Sequence, residues 1–492
     1  MERYRSIQLI QLVHYGSFVG WASRHWCQVK KNGFVSRVGN SMVKLNTVVL
    51  ILIMSKPRKK QGNPDFRHRV SVPAPSSQEI ESRLFELITP GTFANLKGVK
   101  DKERSLRDRV LTLPVMAAIV LSLVYRQIQH LTDVLRCLEV EGLMWVEAMQ
   151  VSRQALSQRL GSMPAQLFIK LFEQVIERLT AKKNKIEIAP MWASVASSFS
   201  AVWIADASTL EAVKKHLGQL QQKTGAVLGG KMLMVVEAFS HRPVAAFFDA
   251  DAKRNETKWW SALLERLPVG GLLITDMGFY GFEWFDTLTE QGKYVLTRQK
   301  AKVRYQVVRR LSSGSHYKDE IIQMGLHHTD PCRYPMRQVS VLWGQTWYHY
   351  LTNVLDPQQL SPQQVCDLYR RRWQIEDAFL LTKRLLGLSY LWVGGTNGVQ
   401  MQVYATWIFY AVLNDLCADV AVALQQPLER ISLEMVFRSL YFFHRARSHN
   451  PLLQLIPWLV EHHRSMGLVK AVRQRHRRTA ARSLDIWASA LT

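Results

Sequence analysis

Tyr369, Arg372, Glu376 and Lys383 lie in the run LYRRRWQIEDAFLLTKRLLG at 368–387. Their successive offsets are three, four and seven residues. In a helix of about 3.6 residues per turn, those offsets return all of them to one face. Leu368, Ile375, Phe379 and Leu386 form an apolar stripe beside that face. The pattern predicts a single helix packed on a core, with Tyr, Arg, Glu and Lys at its edge. A carboxylate held between cations on a rigid helix can bind a metal ion next to phosphate, while the cations position the phosphate groups. The same spacing also describes an amphipathic surface helix with i,i+4 ion pairs, such as Arg372 with Glu376.

The order Tyr-x2-Arg-x3-Glu-x6-Lys resembles the signature of DDE transposases of the insertion-sequence-four type, the bacterial cut-and-paste transposases. The resemblance implies that Glu376 is the third catalytic carboxylate and that Tyr369, Arg372 and Lys383 contact transposon-end DNA. It requires two aspartates elsewhere. SAVWIAD is a short apolar strand ending at Asp206, and GLLITD is another ending at Asp276. In an RNase H-like sheet the first and fourth strands lie side by side, with the late helix against them. That placement would bring Asp206, Asp276 and Glu376 together. Converging like charges repel, so the site would need divalent cations. The resemblance implies two Mg2+ ions about 3.5–4 Å apart, with Mn2+ able to substitute, held by these three carboxylates.

The surroundings of the aspartates also resemble the family. WIADAST matches the usual Asp-Gly-Ser/Thr only in part, because Ala207 replaces Gly. ITDMGFYGF resembles the second-aspartate turn, and YVLTRQK the strand after it, with Arg298 as a further DNA contact. The resemblance covers about residues 110–420. It implies cut-and-paste transposition. Water nicks the element end, and the freed 3′-hydroxyl attacks the opposite strand to give a hairpin. A second water opens the hairpin, and the 3′-hydroxyl then attacks target DNA. In the family a flipped base stacks on an aromatic of a β insertion. Counting back from LTN at 351–353, Trp347 or Tyr348 would take that place, or both are ordinary sheet aromatics.

These residues need a scaffold, and the pattern predicts an α/β fold with an inserted β subdomain and a helical N-terminal domain; the resemblance implies that its catalytic core is RNase H-like. Residues 1–53 are aperiodic and read as a non-native extension, with the native start at Met54. A basic, disordered linker occupies 54–76. A helical DNA-binding domain spans 77–198. The core is split into 199–299 and 359–425, the second part carrying the Tyr-Arg-Glu-Lys helix. Strand-like segments at 300–358 form the β insertion. A basic helical region, 426–492, ends the chain. Within the N-terminal domain, 151–160 begins with Ser152 as a helix cap and carries Arg153, Gln154, Gln158 and Arg159. Such side chains suit base edges and phosphates, so this could be a recognition helix or an ordinary surface helix.

The chain has 492 residues, 47% of them hydrophobic, and a net charge of +25. That excess calls for a polyanion such as DNA, although an anionic membrane surface would also attract it. No uninterrupted apolar run reaches the roughly 18–20 residues that span a bilayer. The five cysteines are scattered without a C-x-x-C, which argues against a disulfide framework or zinc and fits a reducing cytoplasm. GAVLGGKM at 225–232 nearly matches a phosphate-binding loop but lacks its Ser/Thr, and a strand follows. His444, His449, His462 and His463 lie among arginines, which favours phosphate contact over metal. The run RQRHRR at 473–478 reads as a DNA-binding arm or as a solvated, disordered tail. The expected partners are double-stranded DNA, as transposon ends and target, and a second copy of the chain on paired ends. No membrane is expected, and the location is the bacterial cytoplasm with the nucleoid. A catalytically inactive DNA-binding remnant, or an inhibitor of transposition, is the alternative; Ala207 and the stretch 1–53 favour it.

Overall fold

The computed structural model describes residues 78–96, 110–128, 130–182, 188–210, 230–326, 328–386, 388, 391–392 and 395–471. The expected extension at 1–53, the linker at 54–76, most of the glycine-rich stretch before Gly230 and the basic run at 473–478 lie outside these residues.

Nine strands form one sheet in the order β3-β2-β1-β4-β5-β9-β8-β7-β6. They are β1 Val202–Thr209, β2 Lys231–Glu237, β3 Pro243–Asp249, β4 Leu272–Thr275, β5 Tyr294–Arg298, β6 Tyr305–Ser313, β7 Tyr317–Met324, β8 Met336–Trp343 and β9 Thr346–Thr352. The central strands are short apolar runs. All four residues of β4 are buried, as strands covered on both faces require. β1 pairs antiparallel with β2 and parallel with β4, so the first and fourth strands are neighbours as expected. β5 continues parallel to β4. The strands of 300–358 extend the same sheet, because β9 pairs antiparallel with β5.

Helices cover both faces. On one side lie α1 Gln78–Leu87, α2 Pro90–Leu96, α3 Leu113–Tyr125, α4 Leu131–Val140, α5 Arg153–Ser162, α6 Gln166–Ala181 and α7 Pro190–Ser198. On the other lie α8 Trp260–Arg266 and α9 Phe282–Glu290. The first face is completed by α10 Pro362–Arg371, α11 Gln374–Arg384, α12 Thr396–Ala423, α13 Leu433–His449 and α14 Leu455–Glu461. α12 is the axis of that layer. Its Tyr404 hydroxyl donates to the Ala246 carbonyl at 2.8 Å and its Asn414 to the Ser240 carbonyl at 2.9 Å, which pins it to the β2–β3 side of the sheet. Polar residues interrupt its sequence, yet α12 is long and apolar enough to cross a membrane. In this structure 83% of its apolar window is buried within the protein.

One expectation is corrected. The Tyr-Arg-Glu-Lys run is not one helix but two, with Arg372 and Trp373 between α10 and α11. Ser361 starts α10 with a capping box closed by Gln364. At its far end the amides of Arg372, Trp373, Ile375 and Glu376 each bond three residues back, to Tyr369, Arg370, Arg372 and Trp373. That is 3-10 bonding, which tightens the turn and shifts the facing of everything beyond it. The competing interaction is the Arg372 guanidinium, which is drawn to β1.

Candidate active site

Side-chain alternation fixes which face each strand residue uses. Val202, Ile204, Leu272, Ile274 and Leu296 belong to the core beneath α10–α12, whereas Ala205, Leu273, Val295 and Leu351 belong to the core beneath α8 and α9. Counting on by twos puts Asp206, Asp276 and Arg298 on the α10–α12 face. Their strands lie edge to edge, since Ala205 pairs with Thr275 and Ile274 with Leu296. Arg298 in turn pairs with Tyr350 of β9. The resulting row is acid, acid, base, aromatic across four adjacent strands.

Asp206 is buried, with 8% of its surface exposed. Its Oδ1 accepts from the Ala207 amide at 2.8 Å, and its Oδ2 accepts from Arg372 Nη1. Asp276 caps a single turn by accepting from the Gly278 amide at 2.8 Å. Burial pushes the Asp206 carboxyl up to about 7, with Asp276 and Glu256 opposing its ionisation and Arg372 and the Ala207 amide favouring it. Arg372 Nη2 lies 3.7 Å from Glu376 Oε1, and the Glu376 side chain is 45% exposed. Lys383 donates to Ser208 Oγ at 2.6 Å and to the Thr209 carbonyl at 2.7 Å, tying α11 to the end of β1. The Tyr369 ring lies 5.7 Å from the Arg372 guanidinium and 5.2 Å from the Tyr350 ring.

The structure therefore gathers Asp206, Asp276, Tyr369, Arg372 and Lys383, and leaves Glu376 at the rim beyond Arg372. A buried carboxyl opposed by a half-buried one beside it is a setting that a divalent cation would relieve. Asp206 and Asp276 suit such an ion. Among the described residues, however, no group of three His, Cys, Asp or Glu side chains stands close enough to hold one.

Sequence reasoning missed Glu256. In the sequence it stands at the start of an amphipathic segment, and the first turn there is 3-10, Glu256–Trp259, preceding α8. Its Oε1 accepts from Lys231 of β2 at 2.8 Å, and it lies against Gly278 beside Asp276. An acidic residue in a first helical turn is so ordinary that no signal in the sequence set it apart.

Tyr348 shares the site face with Tyr350, and the Arg298 guanidinium lies 5.3 Å from its ring. Trp347 points to the opposite face, where Lys318 Nζ lies 5.5 Å from its ring. Arg153 opens α5 with Gln154 and Gln158, all exposed, and Ser152 caps it by accepting from the Ala155 amide at 3.1 Å. Arg159 instead donates to the Leu111 carbonyl at 3.0 Å.

Residues 197–411 match the model of the transposase DDE domain. The chain is 24% identical over 201 residues to y4zB of Sinorhizobium fredii, described as a transposase, covering 39% of this chain and 54% of that one. It is 26% identical over 147 residues to a protein of Geobacillus stearothermophilus described as the transposase for insertion sequence element IS5377, covering 29% and 38%. It is 22% identical over 164 residues to one of Synechocystis described as the transposase for IS4SA, covering 32% and 45%. The chain thus spans about half, or less, of the length of these relatives. A cryo-electron-microscopy structure of a piggyBac transposase synaptic complex with hairpin DNA aligns with a TM-score of 0.32 at 12% identity, over 82% of this chain and 86% of that one. The chain is similar to DDE transposases of insertion sequences, which bears out the resemblance seen in the Tyr-Arg-Glu-Lys run.

Proposed function

We propose that the chain is a DNA transposase that cuts and joins DNA at the terminal repeats of an insertion element by the cut-and-paste route. The observation that carries this reading is the meeting of Asp206 and Asp276 where the parallel pairing of β1 and β4 ends, with Arg372 of the Tyr-Arg-Glu-Lys run on Asp206. The strand order β3-β2-β1-β4-β5 supports an RNase H-like core. Asp206, Asp276 and Glu376 are the carboxylates that would hold Mg2+ or Mn2+. When bound, the cation polarises the scissile phosphate and lowers the pKa of the attacking water.

The other side chains act on the DNA. Arg372 neutralises Asp206 in the absence of substrate, and exchanges that carboxylate for a backbone phosphate when DNA arrives, so that Glu376 can close on the pair. Lys383 holds α11 against β1 and faces the same phosphates. Tyr369, Arg298 and Tyr348 form a cationic and aromatic wall along which a strand can lie, and Tyr348 is placed to stack on a displaced base. Arg153, with its exposed neighbours on α5, is placed to contact the terminal repeats. Two copies would pair two ends in the cytoplasm, at the nucleoid, with double-stranded DNA as the partner in both cleavage and insertion.

The test is excision in vitro of a marked segment flanked by the element's own ends. Release of the segment with joined flanks or hairpin ends supports the reading. A catalytically inactive DNA-binding remnant is favoured by Glu376 standing off from the aspartates. Salt-sensitive binding of the ends without any strand breakage would establish it instead.

A further inference from the structure

A cavity of about 670 Å3, within the range of small-molecule sites, opens beside the core beneath α8 and α9. Its aromatic side is made by Tyr280, Phe282 and His328, and its cations are Lys300, Lys302 and Arg304. The Phe282 and His328 rings meet edge to face at 5.4 Å and form a corner against which a flat ring can lie. The Lys300 ammonium stands 5.0 Å from the Tyr280 ring. Among the described residues, no carboxylate pairs with Lys300, Lys302 or Arg304. Glu283, the acidic residue in the first turn of α9, is exposed and does not line the cavity. Three like charges gathered without a counterion repel one another and favour a bound anion.

The backbone fixes the walls. Gly325, at φ +88°, donates its amide to the Arg304 carbonyl at 3.0 Å and accepts from the His328 amide at 2.8 Å. A Cβ there would lie 2.7 Å from Pro331 Cα and 3.1 Å from Phe282 Cε2, so a glycine lets the loop after β7 close on Phe282. α9 begins at Phe282 without a side-chain cap, and its N-terminal amides add to the attraction for an anion.

We propose that this cavity binds one nucleotide, its base in the corner of Phe282 and His328 and its phosphate on Lys302 and Arg304. Lys300, held over Tyr280, adds the third positive charge. Aromatic faces accept any base and cations accept phosphate, so the ligand is a nucleoside phosphate, either free or as an unpaired nucleotide of a DNA strand. The turn after Asp276 leads into Tyr280, and Arg298 is followed closely by Lys300. The cavity therefore lies at the same end of β4 and β5 as the carboxylates, but on the α8–α9 face. It is separate from the wall of Tyr369, Arg298 and Tyr348 and does not depend on the reading of Asp206 and Asp276.

The test is calorimetric titration of the whole chain in EDTA at physiological salt, where no divalent cation is present to permit cutting. The probes are dTTP and a short single-stranded oligothymidylate, with inorganic tripolyphosphate as competitor. Lys302→Ala with Arg304→Ala removes phosphate contacts, and His328→Ala removes one ring. All three side chains are exposed, so the fold should persist. Lys170→Ala with Arg445→Ala, both exposed on α6 and α13, removes the same charge outside the cavity. The cavity double variant is expected to weaken binding about tenfold or more, and His328→Ala about fivefold or more. The control double variant should change it less than about twofold. Binding of dTTP with this dependence makes the ligand a free nucleotide; binding of the oligothymidylate alone, with the same dependence, makes it a nucleotide of DNA. Equal losses in the two double variants would show only the general attraction of a basic chain and overturn the proposal. Binding of neither probe would overturn it, as would displacement by tripolyphosphate as effective as by dTTP, since no base is then held.

Discussion

Arg372 donates from Nη1 to Asp206 Oδ2, and with Nη2 it stands 3.7 Å from Glu376. One guanidinium thus lies between the first and third carboxylates of the motif and sets the spacing between α11 and β1. Both partners of the Arg372–Asp206 pair are largely shielded, with side-chain exposures of 10% and 11%. Removing one partner of such a pair leaves the other charge buried alone. Arg372→Ala is therefore expected to lower stability by about 3 kcal/mol in urea unfolding. Adding Asp206→Asn should restore much of the loss. Equal stability of wild type and Arg372→Ala would show that the pair does not hold α11.

The raised Asp206 carboxyl, at about 7, makes a pH prediction for the metal-free chain. Between the ordinary carboxylate range and pH 7 the folded state binds more protons here than the unfolded one. Stability therefore falls as pH rises through that window. Wild type should melt at a lower temperature at pH 8 than at pH 5, and the difference should shrink in Asp206→Asn. The variant is the proper reference because Glu256, Asp367 and Asp415 are also raised by burial and act in the same direction. An identical pH dependence in wild type and Asp206→Asn would remove the assignment.

Arg337 of β8 and Asp319 of β7 form an ion pair with neither side chain exposed. Arg337 reaches Asp319 by Nε at 2.7 Å and Nη2 at 2.8 Å, and its Nη1 donates to the Leu360 carbonyl at 2.7 Å. Leu360 immediately precedes the Ser361 cap of α10, so the pair fastens the strands of 300–358 to the helix carrying Tyr369. Arg337→Ala is expected to cost about 3–5 kcal/mol, because it strands a buried carboxylate. Unfolding in denaturant measures this, and a loss below about 1 kcal/mol, the scale of an exposed pair, would contradict the placement.

Much of this arrangement was legible in the sequence, and the failures have identifiable causes. Asp206 and Asp276 could be found because short apolar runs lead into them; β1 continues past Asp206 to Thr209 rather than ending there, and it is the end of its pairing with β4 at Ala205 and Thr275 that brings the two aspartates together. Ser361 was readable as a cap because Pro362 and Gln364 complete a local pattern. The break at Arg372–Trp373 was not readable, since a long-range pull by Asp206 overrides the local helical period. Asp319–Arg337 and Lys231–Glu256 were hidden because each joins residues whose proximity depends on strand pairing. The choice between Trp347 and Tyr348 was within reach of alternation alone, once Leu351 was known to face the α8–α9 core.

That alternation gives a further prediction. Tyr348 faces the carboxylates and Arg298, whereas Trp347 faces away. On end DNA, Tyr348→Ala should still nick the first strand but lose hairpin formation. Trp347→Ala should retain both steps. Gel analysis of labelled ends separates these products, and normal hairpins from Tyr348→Ala would remove the role.

The most direct measurement is strand cleavage of a DNA fragment bearing the element's own ends, with and without Mg2+, by wild type, Asp206→Asn, Asp276→Asn and Glu376→Ala. The expected result is Mg2+-dependent cutting by the wild type and at least a hundredfold less by each variant, all four binding the DNA alike. A hundredfold loss corresponds to about 2.7 kcal/mol of transition-state stabilisation. Undiminished cutting by Glu376→Ala, or DNA binding with no cutting by the wild type, would contradict the assignment of these three carboxylates as the catalytic set.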